Sequence, residues 1–192
     1  MSQNPDAPSS STNLRAIAET FRLIGWISFW IQLVLGVVSG VILLLYAASS
    51  QRTGSGGNNA GAGFGIFLAL VGLAALGVGV YLAFRYTRLG RQLVSSNPSN
   101  RPRKSETVQV VRFGVIVNLV GILLTLLGAQ AIVGTLATRA LTQAQFLFTA
   151  QANQPFISGL DMFVVLANIQ ALTANFAGLS GSLWLLNRLN RP

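Results

Sequence analysis

Apolar positions in this chain gather into four long runs, near Leu23–Ala48, Ala62–Phe84, Phe113–Ala137 and Met162–Leu186, with polar, glycine-rich or arginine-rich stretches between them. Each run is continuous rather than alternating. Each also reaches the about 20 residues that an α-helix needs to cross a hydrocarbon layer of roughly 30 Å. A membrane β-barrel would show alternating segments of about ten residues instead. The pattern therefore predicts an all-α integral membrane protein with four transmembrane helices, occupying residues 14–192.

The stretches between the runs predict smaller features. The polar start, "MSQNPDAPSSSTN", reads as a disordered tail over residues 1–13 and as a poor signal or transit peptide. In "LRAIAETFR", Leu14, Ile17 and Phe21 share one helical face, which suggests a short amphipathic turn lying at the interface. "SSQRTGSGGNNAGAG" reads as a glycine-rich loop. In the third connection Leu141, Ala144 and Phe148 lie on one face, edged by Gln143, Gln145 and Gln151, and Pro155 stops any helix there. That pattern predicts a short amphipathic surface helix between the third and fourth spans.

Composition narrows the chemistry. Hydrophobic residues make up 52% of the chain and charged residues only 9%, against about 25% charged in an ordinary soluble domain. Cysteine and histidine are absent, which removes disulfides, thiolate metal sites, the commonest transition-metal ligand and the commonest general base. No GxSxG, HExxH, P-loop or CxxC motif occurs. The chain is therefore not expected to be an enzyme or to carry a cofactor.

The net charge of +9 is explained by where the 13 basic residues fall. Arg15 and Arg22 precede the first span, Arg85, Arg88, Arg91, Arg101, Arg103, Lys104 and Arg112 fill the second connection, the loop Arg85–Arg112, and Arg188 and Arg191 follow the last span. Arg52 and Arg139 fall on the other side. By the positive-inside rule, both termini and the basic loop face the cytoplasm. Tyr86 is nearly the sole aromatic among these residues, so the loop reads as a surface for anionic lipid or protein partners rather than for nucleic acid.

Polar residues inside the runs are the candidate functional positions. In "VNLVGILLTLLGAQAIVG", Asn118, Gly121, Thr125 and Gly128 follow at spacings of three, four and three, placing them on one helical stripe, and Gln130 adds a further amide. Asn168, Ala171, Asn175, Gly178 and Ser182 repeat the arrangement in the fourth span. Gly36–Gly40 and the set Gly72, Ala75 and Gly79 supply small stripes in the first two spans. Small residues let backbones approach while amides bond across the gap; the same groups could instead line a pathway. Asp161 opens the last span, where the helix dipole and capping favour a carboxylate, and Arg139 is placed to pair with it.

The stretches "VNLVGILLTLLGAQAIVGTLATRALT" and "LDMFVVLANIQALTANFAGLSGSLWLL" resemble the second half of a four-span Tic component and iron permease family of the chloroplast inner envelope, whose cyanobacterial relatives form an uncharacterised membrane family. The likeness is most specific from Asn118 through Gly121, Gly128, Gln130 and Gly134 to Thr142, and spans one and two match in outline. The resemblance implies a transport-type membrane protein in iron homeostasis or a subunit of protein import. It further implies a cyanobacterial plasma or thylakoid membrane, since no long transit peptide is present. Partners would be the bilayer, iron ions, and further copies of the chain or other membrane proteins. The alternative is a scaffold or assembly subunit that transports nothing.

The absence of native cysteine gives the topology a clean check. Ser96→Cys should react with a membrane-impermeant maleimide only after the cytoplasmic face is opened; labelling of intact cells would reverse the assignment.

Overall fold

The computed structural model describes residues 7–52, 60–94, 103–147 and 158–190. They form four helices, α1 (Ala7–Arg52), α2 (Ala60–Leu93), α3 (Lys104–Leu147) and α4 (Gly159–Asn190). All four are long and apolar enough to cross a membrane. The shortest, α4, has 32 residues, or about 48 Å at the helical rise, so every helix extends beyond the hydrocarbon layer.

The helices pack in cyclic order. α1 and α3 each contact both α2 and α4, α2 and α4 touch across the short diagonal, and α1 and α3 stand opposite one another. The antiparallel order brings Arg15, Arg22, Arg85, Arg88, Arg91, Arg103, Lys104, Arg112 and Arg188 to one end of the bundle, all exposed. Arg139 and Asp161 lie at the other. Arg52 and Arg101 have no described side-chain environment.

Within the spans, polar and small side chains turn inward and many of the large apolar ones turn outward. Large apolar groups such as Trp26, Leu44, Phe64, Phe176 and Trp184 face outward, where the surroundings are lipid. The interior holds Ala69, Ala83, Ala167, Ala171 and Ala174 among its buried residues. Burial of apolar surface gives little driving force between helices in lipid, so close packing through small residues takes its place. Two apolar clusters close the interior. Phe21, Leu82, Tyr86, Val111 and Leu185 fill the arginine-rich end, and Leu43, Ala69, Ile132, Leu136 and Val164 fill the other.

Several sequence-based expectations change. α1 already begins at Ala7, inside the segment expected to be disordered, and Pro8 falls in its first turn, where a missing N–H is harmless. Phe21 is fully buried, so residues 14–22 continue α1 into the core instead of lying at the interface. The expected surface helix is, from residue 138 to 147, an uninterrupted extension of α3; no glycine or proline breaks the chain there, and Leu141 is exposed on it. Residues 148–157 lie outside the described part. The basic loop is also shorter than expected, because Arg85, Arg88 and Arg91 belong to α2, and Lys104 and Arg112 to α3.

At the end away from the arginines, Asp161 joins two helices. Its Oδ2 accepts from the Ser158 backbone N–H at 2.9 Å and from the Ser158 hydroxyl at 3.1 Å, and the Asp161 N–H donates back to Ser158 Oγ at 3.4 Å. This is a capping box with aspartate as its acidic member. The remaining carboxylate oxygen, Oδ1, accepts from the Tyr46 hydroxyl of α1 at 3.1 Å. Arg139 lies at the same end of the bundle, and the cross-helix bond to Asp161 comes from Tyr46, a residue that the sequence did not single out.

Tyr46→Phe should lower stability by about 1.5 kcal/mol, the lower end for one hydrogen bond to a charged acceptor. Asp161→Ala should cost more, because it removes the cap as well. Thermal unfolding of the purified protein in detergent would rank the two, and an equal cost would mean that the cap is unimportant.

Candidate functional site

Between the two apolar clusters lies a polar layer. Gln32 on α1, eleven residues from both Phe21 and Leu43, is fully buried, as is Asn175 on α4; Asn118 on α3 and Asn168 on α4 are 2% and 1% exposed. Thr125, Ser39 and Ser182 are buried with them. Amides at this depth are costly unless satisfied, so their partners define what the layer can do.

Gln32 Nε2 donates to Asn118 Oδ1 at 2.8 Å, and Asn118 Nδ2 donates to the Gly114 carbonyl at 2.8 Å. The first bond spans the long diagonal, tying together the two helices that are not neighbours. It fits because the flanking helices present glycines: a Cβ at Gly79 of α2 would stand 3.0 Å from Asn118 Oδ1, and one at Gly178 of α4 would overlap both amides. The same device recurs along the bundle. The Tyr86 hydroxyl meets Ser182 Oγ at 3.2 Å over Gly114, where a Cβ would collide with it. Asn175 rests on Gly121, where a Cβ would stand 2.5 Å from Oδ1, and Thr125 rests on Gly72.

Not every amide group is satisfied. Asn175 Nδ2 donates to the Ala171 carbonyl at 3.0 Å, yet Asn175 Oδ1, Gln32 Oε1 and both amide atoms of Asn168 have no hydrogen-bond partner within the protein, and neither does Gln170 Oε1, on a different face of α4. Asn168 and Asn175 share the buried face of α4, and Gln32 stands against Gly178 on that same face. Their oxygens are neutral, hard donors. Among the described residues, no group of three or more His, Cys, Asp or Glu could hold a metal ion.

The sequence-predicted positions divide accordingly. Asn118, Gly121, Thr125 and Gly128 on α3, and Asn168, Asn175, Gly178 and Ser182 on α4, are all buried; Gly121 meets Asn175 and Asn118 meets Gly178, whereas Thr125 and Gly128 pack against Gly72, Gly65 and Ala69 of α2. Gln130 does not. It is exposed on the outer face of α3, because two residues beyond Gly128 is about 200° around the helix. Asn118 also finds its cross-helix partner in Gln32, not in Asn168 or Asn175. Gln32 was missed although Gly25, Ser28, Gln32, Gly36 and Ser39 form a small and polar stripe at spacings of three and four.

The architecture is that of a small four-helix integral membrane protein with an amide layer at mid-depth. The chain belongs to the family described as "Protein of unknown function (DUF3611)", which matches residues 11–190. It is 35% identical over 183 residues to "Protein TIC 21, chloroplastic" of Arabidopsis thaliana, an alignment covering 93% of this chain and 60% of that relative. The chain thus spans less than two thirds of the relative's length. No solved structure matches.

Substitutions at glycine test the packing of the layer. Gly178→Ala and Gly121→Ala should each destabilise by roughly 1–3 kcal/mol through overpacking against the amides. Gly77→Ala and Gly134→Ala meet open space and should be neutral or slightly stabilising. Thermal or denaturant unfolding in detergent distinguishes the two classes; equal effects would refute the seating of the amides on glycine.

Proposed function

We propose that this protein is a membrane transport protein of the import and permease type, that the amide layer is the path of a small cation, and that it serves iron homeostasis. The observation that carries the reading is the set of buried amide oxygens on Gln32, Asn168 and Asn175 with no partner in the protein. A layer used solely for packing would pair them, since each unsatisfied group costs about 1–3 kcal/mol. Kinship with a chloroplast TIC protein supports the general class. Cyanobacterial plasma or thylakoid membranes would be its setting.

Neutral oxygens bind ferrous iron weakly, and weak binding suits a path along which an ion must also leave. Glycine contacts bring the helices together around the layer, so passage requires α3 and α4 to part or a second copy to complete the path. That same close packing supports the second reading, a scaffold subunit whose loops and helix ends meet other membrane proteins.

A paired substitution separates the two. Gln32→Met with Asn118→Leu removes both partners of the diagonal hydrogen bond while roughly keeping side-chain volume, so no new orphan is created and the fold should persist. In liposomes, iron uptake relative to empty vesicles should fall at least tenfold. Unchanged uptake at equal protein would remove the layer as the path, and the absence of uptake by the unaltered protein would favour the scaffold.

A further inference from the structure

A shallow groove of about 380 Å³ runs between α1 and α2 at the arginine-rich end, lined by Glu19, Arg22, Trp26, Thr87 and Arg91 among others. Its floor is closely packed. A Cβ at Gly90 would stand 2.9 Å from the Ala18 carbonyl oxygen and 3.0 Å from Arg22 Cγ, and one at Gly25 would stand 3.0 Å from Thr87 Cγ2. The stem of Arg22 therefore lies against α2, which holds its guanidinium on the same side as Arg91.

Trp26 forms the membrane-ward wall. It stacks on Phe29 at 5.7 Å between centroids and meets Trp30 edge-on at 5.8 Å, and 49% of its surface stays exposed. Tryptophan in this position marks the boundary between headgroups and acyl chains. Arg88 is drawn over the Phe84 ring, 5.0 Å from its centroid, and so stands apart from the groove's own cations. The groove thus offers two guanidinium groups and one carboxylate at headgroup depth, above an apolar aromatic wall.

We propose that this groove seats one anionic glycerolipid whose headgroup carries hydroxyls. Arg22 and Arg91 take the phosphodiester, Glu19 accepts from the headgroup hydroxyls, and the chains descend past Trp26. Guanidinium forks match phosphate oxygens in geometry as well as charge. The carboxylate selects against a bare phosphate monoester, whose second charge would face it. This lipid seat is independent of what passes through the bundle.

The test uses the full chain in detergent, with bound lipid counted by native mass spectrometry after addition of phosphatidylglycerol, phosphatidic acid or phosphatidylcholine. Phosphatidylglycerol should be retained at least fivefold over phosphatidylcholine and also exceed phosphatidic acid. Arg22→Gln with Arg91→Gln should abolish that preference, whereas Arg103→Gln with Lys104→Gln, which removes the same charge from the neighbouring connection, should leave it within twofold. Glu19→Gln should level phosphatidylglycerol with phosphatidic acid while keeping both above phosphatidylcholine. Equal losses in the two double variants would show diffuse attraction by the basic end and overturn the seat, and so would equal retention of phosphatidylcholine by the unaltered protein. The single Glu19 variant keeps the question answerable if the double variants unfold.

Discussion

The structure depends on one constraint: a polar side chain in the interior of a membrane bundle needs both a partner and room to reach it, and here a glycine on a facing helix supplies the room. Gln32 and Asn118 bond between Gly79 and Gly178, Tyr86 meets Ser182 over Gly114, Asn175 lies on Gly121, and Thr125 lies on Gly72. Each pairing sets the helix separation at one level. Because lipid supplies no solvent-driven force to press the helices together, these short approaches and the bonds across them take the place that a leucine core has in water.

The diagonal bond has a particular consequence for specificity. Neighbouring helices could slide by a turn and still bury small residues against small residues. Only one register places an α1 amide opposite an α3 amide with glycines on both flanking helices. Polar groups buried in this way define a unique arrangement more than they add stability, since interhelical hydrogen bonds in membranes average only about 0.6 kcal/mol.

The two ends of the bundle are built differently. One is closed by the Ser158 and Asp161 cap with Tyr46 across it, a compact set of short bonds. The other is ringed by exposed arginines around an apolar plug of Phe21, Val111 and Leu185. The polar layer lies between plug and cap, with unpaired amide oxygens buried among the four helices.

The four spans, the small and polar stripes of α3 and α4, and the concentration of arginine at one end were legible in the sequence, because apolar length, helical spacing and charge placement are local properties. Where each helix stopped was less so: the turn before Leu23 and the stretch after Ala137 looked amphipathic, yet nothing in them breaks a helix, and tertiary contacts drew Phe21 inward. Spacing placed Asn118 and Asn175 on inward stripes, but it could not say that Asn118 would bond across the bundle to Gln32 or that Asp161 would receive the Tyr46 hydroxyl. Gln130 carried the same chemistry as the buried amides and ended outside. Those outcomes turn on which faces of which helices meet, a property of helix rotation and register that exists only once all four are packed together.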